Sequence, residues 1–392
     1  MTDHRSQPAT PVSSPGRRLA NALLLARREW PLPVSLITTG LFLGFGSRWL
    51  ADLSYPAWFV FMLGWLFGVI LLSALAVVRH AESLAIKLGE PLGTLVLTLS
   101  VIGIEGMMIG AVMAAGPDNL TLARDAMFAV IMIVMNGMIG LCLLLGGLRY
   151  HEQTYNLQGA NAYLAVIVPL TVIGLVLPNF TESSPGPTFS PLHSTLLIVM
   201  SLGLYGVFLA IQTSLHREYF VPQTPAGASA DQSAEEHNHH EVHAISYHAP
   251  LLMAYLLPVG ILAEKIAIPI DYGIHVLRAP SELGGLLVSV LVLFPESLAA
   301  VRAALGNQLQ RSVNLLFGSV LASISLTVPA ALTIGLLMSQ TIVLGVTTVN
   351  MVLLLLTLGV TMLTFASART NILLGAVHLL LFVAYLMLIF EK

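Results

Sequence analysis

The sequence predicts an all-α polytopic membrane protein of eleven transmembrane helices, one extra helix followed by two inverted five-helix repeats. Three observations predict it. Of 392 residues, 56% are hydrophobic and only 9% charged, too few charges to cover a water-soluble surface of this size. Eleven apolar runs reach the roughly 17–25 residues that cross a bilayer. One pattern of residues occurs twice, in the third and the eighth of those runs.

Taken in order, residues 1–30 form a basic tail with Pro8, Pro11, Pro15 and Arg5, Arg17, Arg18, Arg27 and Arg28, read as a disordered cytoplasmic arm that sets topology. The first run, roughly 31–47, has no small-residue cleavage site and reads as a retained helix, filling 31–55 with its loop. Trp30 and Trp49 bracket it at interfacial depth, since their separation covers roughly 28 Å of helix, and Trp58 and Trp65 are expected to anchor the second run in the same way. Residues 56–220 form the N-terminal repeat, with runs at roughly 56–78, 91–115, 123–147, 161–178 and 192–214. Residues 249–392 form the C-terminal repeat, with runs at roughly 249–266, 282–304, 311–337, 340–365 and 370–390. The sole cysteine, Cys142, excludes an intrachain disulfide and falls in an apolar run, where it packs.

With the tail in the cytoplasm, Arg79, Lys87, Arg149, Arg217, Arg302, Arg311 and Arg369 lie inside with it, which accounts for twelve of the seventeen basic residues. The expected orientation is therefore N-terminus cytoplasmic and C-terminus periplasmic. The eighth helix comes five runs after the third, an odd offset, so the two cross in opposite directions and the repeats are inverted.

Between the repeats, residues 221–248 form a polar cytoplasmic linker with Asp231, Glu235, Glu236, His237, His239, His240, Glu241, His243 and His248. It reads first as a solvated tether. His237, His239, His240, Glu241 and His243 also form a candidate regulatory cluster, because clustered imidazoles titrate near neutral pH and join carboxylates in binding metal. They do not make the H-E-x-x-H pattern of a zinc hydrolase.

The repeated pattern carries the chemistry. Leu92, Gly93, Leu95 and Glu105 superpose without a gap on Leu283, Gly284, Leu286 and Glu296; after a four-residue difference in the loop, Arg124 falls on Arg311 and Asn136 on Ser323. Glu105 and Glu296 are acids inside apolar helices, where a charge is costly and almost always faces a cavity. Two carboxylates sharing one cavity titrate as a unit. They are satisfied when protonated, or when ionised around a cation, whereas empty and charged is the expensive state. A carrier that reorients only when that site is neutralised exchanges cation for protons. Asn136, Ser323, Ser100, Ser319 and Ser325 are the polar residues best placed to add oxygens, and an all-oxygen site suits hard cations. Each also fits the role of bonding helix to helix. Gly103, Gly106, Gly137 and Gly318 loosen the neighbouring backbone, and Pro295, directly before Glu296, is expected to break its helix. Arg124 and Arg311 are expected as interfacial anchors.

At this point the residues resemble a known family, the cation/proton exchangers (CAX) of the calcium/cation antiporter superfamily, and most closely its bacterial ChaA-type branch. RHAESLAIKLGEPLGTL, Arg79 to Leu95, resembles that family's entrance segment; GSVLASISLTVP from Gly318 resembles its second-repeat signature, and SARTNILLGAVHLLLFVAYL from Ser367 its closing helix. The likeness runs over roughly residues 56 to 390. It implies that Glu105 and Glu296 are the shared cation and proton ligands, flanked by Asn136 and Ser323. Exchangers of the calcium type commonly carry Gly-Asn-Ala-x before each acid; here those positions are Val101, Ile102, Gly103 and Ile104, then Val292, Leu293, Phe294 and Pro295. With both asparagines missing, the resemblance implies calcium, sodium and potassium alike as transported ions.

The function expected is a secondary antiporter of a bacterial inner membrane that exchanges cytoplasmic Ca2+, or Na+ or K+, for protons; its partners are small cations, protons and lipid, with no nucleic acid, no cofactor and no enzymatic step. A monovalent-selective Na+(K+)/H+ antiporter is the alternative. A cation channel is the rival of the same class, distinguished by pH-independent conductance, and a cation sensor built on the linker is the rival of another.

Overall fold

The computed structural model describes residues 28–89, 92–115, 121–221, 244–338 and 342–391. Among them run eleven helices: α1 Pro31–Trp49, α2 Pro56–Leu88, α3 Leu92–Ala115, α4 Leu122–Tyr150, α5 Leu157–Phe180, α6 Pro191–Leu215, α7 Ile245–His275, α8 Glu282–Leu305, α9 Leu309–Leu337, α10 Thr348–Thr364 and α11 Ile372–Phe390. Eight of these are long and apolar enough to cross a membrane, while α3 and α10 are apolar over shorter stretches of 17 residues. The linker residues His237, His239, His240, Glu241 and His243 lie outside the described residues.

Local chemistry sets the ends. Pro31, Pro56 and Pro191 open α1, α2 and α6, where the missing N–H costs nothing. Asn156, Ser190, Thr347 and Asn371 cap α5, α6, α10 and α11 through side-chain oxygens that accept first-turn amides, each such cap contributing about 1 kcal/mol. Two helices outrun their apolar runs. α2 continues from Arg79 to Leu88 and α7 begins before Ala249, because polar side chains beyond the bilayer leave the backbone free to stay helical.

The third helix of each repeat is the centre of the molecule: 78% of the apolar window of α4 and 67% of that of α9 is buried, against 22% for α6 and 28% for α11. Around this pair α2, α3 and α7 pack together, α8 packs on α4, and α11 covers α4 from the other side. A two-residue antiparallel strand pair, β1 Gln153–Thr154 with β2 Arg369–Thr370, joins the two repeats at one end. At the other end residues 342–346 run extended against Pro187 and Leu175, which is why α10 begins eight residues later than its apolar run.

Trp58 and Trp65 are half-buried and donate their indoles to Trp49 O at 2.9 Å and Thr38 Oγ1 at 3.3 Å, and Trp65 and Trp49 join Phe42 in a ring cluster between α1 and α2. Two expectations are corrected. Arg124 is buried rather than interfacial, because Asp125 supplies a countercharge at 2.8 Å and the Gly345 carbonyl a further acceptor at 3.3 Å; Arg311 is exposed. Pro295 does not break α8, which runs unbroken from Glu282 to Leu305. One lost hydrogen bond inside a tightly packed apolar helix costs less than unpairing a turn of backbone away from water.

Candidate functional site

Segments of π-helix interrupt four helices among the described residues instead: Met132–Met138 in α4, Val172–Val176 in α5, Ile211–Leu215 in α6 and Ser323–Thr327 in α9. Those of α4 and α9 contain Asn136 and Ser323, the two residues equivalent by repeat. A π turn widens the ladder and frees carbonyls, and such bulges concentrate at functional sites. The inverted repeat has thus placed the same local defect in both halves.

Glu105 sits in α3 at 1% exposure. Ser323 Oγ, from the other repeat, donates to its Oε2 at 2.7 Å. Its Oε1 is buried and has no hydrogen-bond partner among the described residues. Thr327, one turn beyond Ser323 on the same face, turns its hydroxyl toward the same carboxyl. A carboxylate oxygen left without a hydrogen bond in an apolar interior is one that a proton or a cation would satisfy.

Glu296 in α8 is less enclosed. It accepts a short hydrogen bond from Ser319 Oγ, and it lies within electrostatic reach of Glu105 and of Glu82 on α2. Ser319 and Ser323 are four residues apart, so one stripe of α9 serves both acids. The structure therefore brings together Glu105, Glu296, Ser319 and Ser323.

The remaining candidates are placed differently. Ser100 Oγ donates back to Val96 O of its own helix at 2.6 Å. Ser325 is fully buried with its hydroxyl unbonded. Asn136, also fully buried, directs its amide to Thr357 and His378 and is bonded to neither acid. Thr327 and Glu82 did not emerge from the sequence. Thr327 carried a usable signal, its four-residue spacing from Ser323; Glu82 carried only its place in the entrance segment.

Two acids, one from each repeat, each hydrogen-bonded to a serine of α9 in the interior, fit the class of ion transporters built from repeats. The chain belongs to the sodium/calcium exchanger protein family, whose pattern matches residues 58–214 and 250–391. It is 41% identical over 324 residues to the sodium-potassium/proton antiporter ChaA of Escherichia coli strain K12, covering 82% of this chain and 86% of that protein. Its fold is that of the Ca2+/H+ antiporter YfkE, in its selenium-substituted crystal structure, with TM-score 0.66 and 17% identity over 92% of this chain and all of that one. It is shared also by the H+/Ca2+ exchanger CAX, with TM-score 0.62 and 12% identity over 91% of this chain and 89% of that one.

Proposed function

We propose that the protein is a secondary active antiporter that moves Ca2+, and also Na+ or K+, out of the cytoplasm in exchange for protons by alternating access. The observation that carries this reading is the hydrogen bond from Ser323 to Glu105 across the repeats, with Glu105 Oε1 left bare and Glu296 close by. Two carboxylates in one low-dielectric pocket repel when both are ionised and empty. Either protons or a cation relieves that repulsion, so occupancy by one excludes the other and coupling follows from electrostatics alone. The ligands are carboxylate, hydroxyl and π-freed carbonyl oxygens, a set suited to hard cations.

A specific observation favours the second reading, a monovalent-selective Na+(K+)/H+ antiporter. The positions before both acids lack amide side chains, and the relative that is 41% identical is a sodium-potassium/proton antiporter. The chain sits on this reading in a bacterial inner membrane, N-terminus cytoplasmic and C-terminus periplasmic. Glu105→Gln and Glu296→Gln are expected to insert normally and to abolish cation-dependent proton movement in everted vesicles. Retained exchange in both variants overturns the site. Initial rates for Ca2+, Na+ and K+ in liposomes separate the two selectivities.

A further inference from the structure

The π turn Ser323–Thr327 of α9 packs on α3, the helix that carries Glu105, and it holds three buried hydroxyls, those of Ser323, Ser325 and Thr327. They do not face the same way. Ser323 Oγ donates to Glu105 Oε2 at 2.7 Å. Ser325, two residues on, lies off that face, and Thr327, four residues on, returns to it. Thr327 is 1% exposed. Its hydroxyl is near enough to the Glu105 carboxyl to act on it, yet closes no hydrogen bond with any described atom. Glu105 Oε1 closes none either.

A threonine in an apolar helix has a ready way to satisfy its hydroxyl, which is to donate to the carbonyl four residues back. Thr39, Thr213, Thr333 and Thr361 all do so, at 2.7–2.8 Å. Thr327 does not make that bond to Ser323 O. It keeps its hydroxyl on the side of the acid, although a buried polar group without a closed hydrogen bond is costly. A group that fills the space beside Glu105 would return that cost.

A hydroxyl suits a site whose occupant changes. It turns about its C–O bond and has one hydrogen to give and two lone pairs to offer. Beside an ionised, empty carboxylate it donates; beside a protonated one it accepts. Beside a cation it turns a lone pair outward as an uncharged ligand, the kind of oxygen that hard cations take together with carboxylates. No amide side chain supplies such an oxygen just before either acid, where Ile102 and Leu293 stand.

We propose that Thr327 is a further ligand of the transported cation, its hydroxyl oxygen completing with Glu105 the seat of a hard cation. This rests on the reading of Glu105 as the shared cation and proton site.

The test uses the full-length protein in proteoliposomes, with initial rates of proton-coupled exchange against the concentration of Ca2+, Na+ and K+. The series is repeated at rising pH until the half-saturating concentration stops falling and protons no longer compete. On that plateau Thr327→Val, which puts a methyl of like size in place of the hydroxyl, is expected to raise the half-saturating concentration about tenfold for the ion carried. Thr327→Ser, which keeps the hydroxyl, is expected to stay within about threefold of the starting protein. A hydroxyl that only hydrogen-bonds the carboxyl would shift the pH at which the plateau begins. A plateau value unchanged or lowered in Thr327→Val therefore overturns the proposal. Should Thr327→Val fail to insert, Thr327→Ala and Thr327→Ser decide, and equal plateau values in the two overturn it. Glu105→Gln keeps the two levels apart. If it retains exchange, the site reading falls and the inference with it; if it abolishes exchange while Thr327→Val leaves the plateau unchanged, Thr327 alone is removed from the site.

Discussion

Ser323 is the smallest group on which the site depends. It is one of the two hydroxyls that reach the acids, and it reaches across the repeats to an acid whose other oxygen is already bare. Removing it takes from a buried carboxylate its hydrogen bond across the repeats, at a cost of about 1–3 kcal/mol. Ser323→Ala is therefore expected to shift the competition between cation and proton at Glu105 by about five- to 150-fold. Initial exchange rates at fixed cation and varied pH report the shift, and an unchanged pH profile would show that the hydroxyl does not act on Glu105 during turnover. The acids were legible in the sequence because an acid inside an apolar run has no bland explanation, and Ser323 was legible through its symmetric partner. The partners of Asn136 were not. Thr357 lies 221 residues away and His378 242, on helices whose packing against α4 no local pattern records.

At the scale of elements, the sequence showed the apolar runs and missed what happens inside and beyond them. The π turns of α4 and α9 have no signature in the composition around Asn136 and Ser323, and Pro295 pointed to a break that the packed helix absorbs. The seating of α1 is another such case. Ser35 bonds Ser73 across α1 and α2 at 2.8 Å, and just before α1 Glu29 accepts from Arg79 at 2.6 Å, from Tyr255 at 2.9 Å and from Tyr247 at 3.1 Å. Glu29 thus ties the extra helix to α2 and α7, the first helices of the two repeats. Burial by itself would push its carboxyl up, but Arg79, the phenols of Tyr255 and Tyr247, and His80 outweigh burial and hold it below its ordinary value of 4.5. A carboxyl depressed by folding stabilises the fold above its unfolded pKa, and that contribution is lost as pH falls through the lower folded value. Glu29→Gln is expected to cost about 1–2 kcal/mol near neutral pH, discounted for the partly exposed Arg79. The deficit should shrink as pH falls below 4.5, where the unfolded carboxyl takes up a proton first, and should vanish only once the pH is below the lower folded value. Thermal unfolding in detergent at pH 7 and pH 4 measures it; an equal deficit at both values would mean that the charge is not what seats α1.

For the whole molecule, everything about coupling depends on α3 and α8 crossing in opposite directions, since only then do Glu105 and Glu296 meet from oppositely directed halves. Eleven crossings put the two termini on opposite sides. The weakest step in that count is α10, at 17 residues the shortest of the helices and preceded by extended chain. At 1.5 Å per residue it covers about 26 Å, slightly less than a hydrocarbon core of about 30 Å. Its neighbours make up the difference: Thr347 caps it, Asn179 donates to Val346 O at 3.0 Å, and α11 packs along it, so the segment is set into protein rather than left to lipid. A topology test is open because the sole cysteine, Cys142, is buried at 1% exposure and gives a silent background. Glu391→Cys, at the end of α11, is expected to react with a membrane-impermeant maleimide added to the periplasmic face of intact cells, and to be protected in everted vesicles unless these are permeabilised. Labelling confined to the cytoplasmic face would mean either that the molecule is inserted the other way round or that the crossings are even in number, and the same test on Glu29→Cys separates the two. If both ends label from one side, α10 or α11 is wrongly placed against α4, and the hydrogen bonds from Asn136 to both have to be reassigned before any account of exchange can stand.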